Sequence, residues 1–141
     1  MLDHATRERL VAAAAVVREH AYVRASGFRV GAAVLARDGR VFAGCNVENA
    51  SYGLTICAER AAVCAAVAAG ARELVAVAVV TELADPARPC GACRQVLAEF
   101  GIGMAVVLAN PAGARVVTTL RTLLPDPFTF ADVERGRSAP G

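Results

Sequence analysis

The sequence predicts an α/β protein, a three-layer α/β/α fold built on a mixed five-stranded sheet. Three observations predict it. Alanine-rich segments of helical periodicity alternate with β-branched runs in the order αββαβαβ, and one further short β run follows. An Asp38-Gly39 turn joins the first two β runs as a hairpin, so the sheet must contain an antiparallel pair. The run ELVAVAVVT at 73–81 is apolar almost throughout, the pattern of a central strand covered on both faces.

Each element has a local reason. Asp3 to Ala21 places Leu10, Ala13, Ala14 and Val17 at helical spacing and offers Asp3 or Thr6 as a cap, which predicts a first helix. FRVGAAVLA and RVFAGCNVE flank the hairpin turn. Cys57 to Ala69 predicts a second helix that stops at Gly70, the residue best suited to a left-handed C-terminal cap. After the loop ELADPARP at 82–89, Cys90 to Phe100 supplies a third helix, ended by Gly101 and Gly103. MAVVLAN makes a fourth strand, and RVVTTL, beyond a turn from Asn110 to Gly113, a fifth. A short helix is expected from Thr129, with 135–141 as a disordered tail, so that residues 1–134 form one domain.

A chain of 141 residues can bury a core without disulfides or metal as its main support. Apolar residues make up 56% and charged residues 20%, a balance that would leave apolar surface on a lone subunit and predicts an oligomer. The net charge is +2, and the 15 cations, all arginines, are scattered, so no polyanionic partner is called for. The absence of lysine excludes Walker A phosphate binding and Schiff-base chemistry at a lysine amine. Five cysteines, an odd number, and the lack of a secretory pattern around Leu10–Val17 predict a reducing, cytoplasmic setting. No segment approaches the roughly 20 apolar residues needed to span a bilayer, so no membrane partner is expected.

The chemistry concentrates in PCGACR, residues 89–94. Two cysteines three apart at a helix start suit a redox pair, half of a structural zinc site or part of a catalytic one. Cys57 heads the second helix as Cys90 heads the third, so two helix N-termini can bring Cys57, Cys90 and Cys93 to one metal ion. A structural zinc site closes with four protein ligands, whereas a catalytic one keeps a position for water, so the fourth ligand is the informative feature. His4 and His20 read as surface or cap residues, and Cys45 and Cys64 as core packing. Glu59, two residues after Cys57, does not share its face and is placed instead beside a water at the metal; its plain alternative is a solvated helix-start carboxylate. Arg60 can offset the negative charge of three thiolates, or be an ordinary surface arginine.

CAER at 57–60 together with PCGACRQ at 89–95 resembles the zinc-dependent cytidine deaminases, specifically the small homotetrameric group. FRVGAAVL, GCNVENASYGLTICAER and LLPDPF follow in that family's order, so the resemblance covers nearly everything between Phe28 and Phe128. It implies a cytidine deaminase-like fold and one zinc ion per subunit on Cys57, Cys90 and Cys93, with Glu59 as proton shuttle and Arg60 behind the sulfurs. It further implies ribose contacts from Asn46 and Glu48, packing of Phe28 on the pyrimidine, and a donor to the base carbonyl from the Ala58 amide. Ala50, Tyr52 and Phe128 match positions that complete a neighbouring subunit's pocket, which implies a homotetramer with pockets at subunit interfaces. The implied reaction is hydrolytic deamination of cytidine and deoxycytidine, within pyrimidine salvage, on a small-molecule nucleoside rather than a nucleic acid.

Spacing alone would make Phe28, Tyr52 and Phe128 core residues, and Asn46 and Glu48 a polar strand face. One departure stands out: AYVRASGF carries Arg24 and Ala25 where the family usually shows Pro-Tyr. That segment leaves open a modified cytosine nucleoside, blasticidin-S-like, as substrate. From another class, a thiol oxidoreductase using Cys90 and Cys93 competes, but it leaves Cys57, Glu59 and NVEN without a role.

Overall fold

The computed structural model describes residues 2–138. In chain order these form α1 (His4–Arg18), β1 (Gly31–Ala36), β2 (Val41–Cys45), a 3-10 turn (Tyr52–Leu54), α2 (Ala58–Ala68), β3 (Leu74–Val80), α3 (Gly91–Gly101), β4 (Ala105–Ala109), β5 (Arg115–Thr119), α4 (Leu120–Leu123) and α5 (Phe130–Ser138). The strands lie in the order β2-β1-β3-β4-β5, so the run read as central is central. β1 pairs antiparallel with both β2 and β3, β3 and β4 are parallel, and β5 returns antiparallel to β4. The sheet is therefore mixed, as expected.

Strand alternation divides the core into two. Ala32, Val34, Val77, Val79, Val106 and Leu108 face Ala62, Val63 and Leu97 from α2 and α3. Their neighbours Ala33, Leu35, Ala76, Ala78 and Val107 face Leu10, Val11 and Ala14 of α1. This two-sided burial is why β1, β3 and β4 read as unbroken apolar runs. Leu10 and Leu97 are fully buried, and truncating either to alanine would cost roughly 2–5 kcal/mol.

Close approach of helix to strand sets where α2 lies. A Cβ on Gly44 of β2 would stand 2.4 Å from the Ala62 nitrogen, and one on Gly31 of β1 2.0 Å from the Ala14 carbonyl. Only glycine lets the layers meet this closely. At the far end of α2, Gly70 takes φ +93°, Ala71 donates to the Ala66 carbonyl and Gly70 to that of Val67, which is a Schellman cap.

Three boundaries differ from expectation. α1 ends at Arg18 because Glu19, His20 and Ala21 donate to carbonyls three residues back, tightening the last turn out of the α-helix. The short α4, unforeseen in the sequence, is capped by the Thr119 hydroxyl, which accepts from the Thr122 amide. Finally, residues 135–138, read as the start of a disordered tail, continue α5. Its start is held by a reciprocal capping box in which the Asp132 carboxylate accepts from the Thr129 amide and Thr129 Oγ1 accepts from the Asp132 amide. The rest of that tail lies outside the described residues.

Candidate metal centre and active site

Cys57 and Cys90 are the N-caps of α2 and α3, both with extended backbone (φ −72° and −65°), so each thiol turns off its helix end instead of lying along it. Cys93 follows one turn into α3 and is fully buried. The three sulfurs converge. Cys57 Sγ lies 4.0 Å from Cys90 Sγ, Cys90 Sγ lies 3.4 Å from Cys93 Sγ, and all three fall within 4.8 Å of one another. Tetrahedral zinc with bonds of about 2.3 Å to sulfur needs sulfur–sulfur edges of about 3.8 Å, so the cluster fits that ion. All five cysteines are free thiols, and among the described residues no other side chain joins the metal-ligating group. Three protein ligands match the catalytic pattern rather than the closed structural one.

Cys45 is half-buried and Cys64 is exposed. The reading of Cys64 as core packing is thus corrected: the buried stripe of α2 runs through Ala58, Glu59, Ala62, Val63 and Ala66, and Cys64 lies off it. His4 accepts or shares a hydrogen with Arg7 on α1, away from the sulfurs.

Glu59 sits in the first turn of α2 and is only 5% exposed. Burial pushes its carboxyl above the ordinary carboxylate range, opposed by its own backbone amide, the Cys93 thiol and the nearby Arg60 charge. The solvated-carboxylate alternative is therefore excluded. Arg60 turns back on the cluster, donating from Nη2 to Cys57 Sγ at 3.5 Å and to the Thr55 carbonyl at 3.4 Å. The bond to Cys57 raises the guanidinium further above its usual value. Burial also pushes the Cys93 thiol up; at Cys90 desolvation acts the same way but is outweighed by hydrogen bonds from the Cys93 amide and the neighbouring thiols, leaving it lowered.

A cavity of about 230 Å³ opens on this cluster, walled by Phe28, Asn46, Cys57, Ala58, Glu59 and Cys90. Six of the residues singled out in the sequence thus meet in one place. The Asn46 amide is held on both sides, accepting from the Val30 amide and donating to the Phe28 carbonyl, so it fixes the Phe28 wall while its remaining lone pair and hydrogen stay available. Thr81, just past the end of β3, and Arg88, one residue before Pro89, also line the cavity; neither was singled out in the sequence. Thr81 had a signal, since ligands collect at the carboxyl ends of strands in open α/β sheets.

Glu48, Ala50 and Tyr52 lie elsewhere, in an adjoining depression of about 260 Å³ shared with Tyr22, Arg24 and Ala25. The Glu48 carboxylate accepts from the Ala25 and Ser26 amides and the Ser26 hydroxyl, which holds its pKa below the ordinary value. Tyr52 is 76% exposed and Phe128 66%. The chain on both sides of Phe128 is anchored by Gln95, whose side-chain amide donates to the Phe128 carbonyl and accepts from its amide nitrogen. Within one chain these aromatic rings do not wall the sulfur cavity. A larger cavity of about 610 Å³, lined by Leu2, Val75, Ala105 and Val117, shares no residue with the sulfur site.

Comparison with known proteins agrees with this geometry. Residues 4–109 match the family described as the cytidine and deoxycytidylate deaminase zinc-binding region. The chain is 50% identical over 127 residues to cytidine deaminase of Sporosarcina psychrophila, covering 89% of this chain and 93% of the relative. It superimposes on the crystal structure of cytidine deaminase from Burkholderia pseudomallei with a TM-score of 0.83 at 52% identity, covering 90% of this chain and 100% of that one. The corresponding values for cytidine deaminase from Mycobacterium tuberculosis are 0.74 and 46%, with 86% and 95% covered.

Proposed function

Because the chain belongs to the cytidine and deoxycytidylate deaminase zinc-binding family, we propose that it is a zinc-dependent hydrolase converting cytidine and deoxycytidine to uridine and deoxyuridine with release of ammonia. The observation that carries the reading is the convergence of three sulfurs at two helix ends beside a buried carboxylate.

Cys57, Cys90 and Cys93 would hold the ion. Zinc, when bound in such a site, lowers the pKa of water enough to supply a nucleophile near neutral pH. Glu59 then handles the protons: it accepts one from the attacking water and delivers it to ring N3 so that C4 becomes electrophilic, then takes the second from the oxygen added at C4 and passes it to the departing amine, leaving the C4 carbonyl. Burial suits it to this, because a carboxyl held above its ordinary pKa takes a proton from the attacking water more readily than an exposed one would. Phe28 offers its ring to the pyrimidine, and Asn46 and Glu48 offer polar atoms to the sugar. The Ala58 amide, at the first turn of α2, has no intrahelical acceptor and can donate to the base carbonyl.

We further infer a homotetramer in which Ala50, Tyr52 and Phe128 complete a neighbour's pocket, supported by the exposure of Val47, Tyr52, Leu54, Ile56 and Phe128. A cytoplasmic setting is supported by the five free thiols. No helix among the described residues is long and apolar enough to cross a membrane.

The test follows ammonia release and ultraviolet absorbance loss on cytidine and deoxycytidine, alongside zinc content, for the native protein and Glu59→Gln. The native protein should carry one zinc per chain and turn over both, while Glu59→Gln keeps zinc and loses at least about 100-fold in turnover. A zinc-replete native protein inert on both nucleosides would overturn the reading.

A further inference from the structure

We propose that Gln95 is a positioning residue that acts on a neighbouring subunit: it holds the backbone at Phe128 so that the ring is already ordered when it completes the neighbour's pocket. The inference rests on the tetramer proposed above and adds to it the group that readies the contributed ring.

The metal centre leaves the end of PCGACRQ unexplained. Neither Arg94 nor Gln95 joins the sulfur group or lines the cavity that opens on it. Both reach from α3 to the segment that follows α4. Arg94 donates from Nε to the Pro89 carbonyl at 2.8 Å and from Nη1 to the Leu123 carbonyl at 2.9 Å, so one planar fork ties the residue before Cys90 to the head of that segment. Gln95 closes on its far end, donating to the Phe128 carbonyl at 2.7 Å and accepting from the Phe128 amide at 3.3 Å. A carboxamide carries a donor and an acceptor in one plane, as a peptide group does, so Gln95 supplies the pairing that a neighbouring strand would otherwise give.

Between the two anchors stand Pro125 and Pro127, whose rings fix φ. Immediately beyond, the Thr129–Asp132 capping box starts α5. The backbone at Phe128 is thus held on both flanks while its ring stays 66% exposed. A segment ordered for the sake of its own chain's core would turn that ring inward. An exposed aromatic on a restrained backbone is the form of an anchor offered to another surface, because a chain ordered before its partner arrives loses less entropy on association.

The test measures cytidine kinetics, zinc content and oligomer mass on the full zinc-loaded chain. Gln95→Leu, which removes both bonds, should keep zinc, oligomer and kcat while KM rises about tenfold, the scale of ordering one loosened residue on binding. Gln95→Glu retains an acceptor for the Phe128 amide but sets a carboxylate against its carbonyl, and should raise KM as well. The decisive arm coexpresses Gln95→Leu with Glu59→Gln, whose own site is silent but whose Phe128 is clamped, and isolates the mixed oligomers by two tags. There the Gln95→Leu sites should regain a fraction of turnover with native KM, since a neighbour now supplies an ordered ring. Mixtures of Phe128→Ala with Glu59→Gln should do the same. Restoration for Phe128→Ala but not for Gln95→Leu would overturn the role of Gln95 and leave the shared pocket standing. A native KM in the Gln95→Leu oligomer, or zinc lost from both Gln95 variants, would overturn that role too. Restoration in neither mixture, or a monomeric native protein, would remove the shared pocket and this inference with it.

Discussion

Arg60 and Cys57 are joined across the first turn of α2: the guanidinium donates to the sulfur at 3.5 Å while its buried Nε has no partner among the described residues. A divalent ion on three thiolates carries a net negative charge, which works against acidifying a bound water, and a cation bonded to one thiolate withdraws part of that charge. Arg60→Gln should keep one zinc per chain and lower kcat by roughly 10–100-fold, the usual cost of removing a partner of a metal ligand. Full zinc content with native kcat would show that Arg60 only packs.

Cys93 and Cys64 are both helical cysteines, with opposite expectations. Cys93→Ser replaces a fully buried member of the sulfur cluster and should abolish stoichiometric zinc and lower Tm. Cys64→Ser changes an exposed side chain and should shift stability by no more than about 0.5 kcal/mol, with zinc retained. Metal analysis and thermal melts on the two variants decide it; equal zinc loss in both would count against the assignment of the ligands.

Gly44→Ala tests how strand and helix contact positions the site. The added methyl would lie 2.4 Å from the Ala62 nitrogen and 2.8 Å from the Ala58 carbonyl, so α2 must move away from β2. Overpacking of this kind costs roughly 1–3 kcal/mol. Because Cys57 and Glu59 ride on the same end of α2, kcat should fall as well. A denaturant midpoint and kcat both equal to native would mean that the contact yields without strain.

Glu8 on α1 accepts two hydrogen bonds from Arg115 on β5, at 3.1 Å each, and the Arg115 bond holds the Glu8 carboxyl below its ordinary 4.5. A carboxyl depressed in the folded state contributes stability above its unfolded pKa and loses that contribution as pH falls through the folded one. Stability should therefore decline as pH drops below about 4.5, and Glu8→Gln should flatten that part of the curve. Both side chains are partly exposed, so the neutral-pH cost is at most about 1 kcal/mol. Parallel pH profiles for native and variant would remove Glu8 from the acid response.

The order of residues alone determined the mixed sheet, its central strand, the helix ends at Cys57 and Cys90, and the family resemblance that marked Glu59 as more than a surface acid. These signals act over a few residues: a strand's apolar run, a glycine at a C-cap, an i to i+3 pair of thiols. Tertiary structure alone decided which side chains share a cavity. Asn46 had to be placed against Phe28 and Val30 before its amide could be seen clasping them. Arg88, without a motif of its own, was placed on the wall of the sulfur cavity only by the fold. Cys64 read as core until the buried stripe of α2 was oriented by its contact with the sheet. The physical reason is common to all three: local preference sets backbone conformation, whereas burial, pairing and cavity walls depend on segments that meet only after the sheet has assembled.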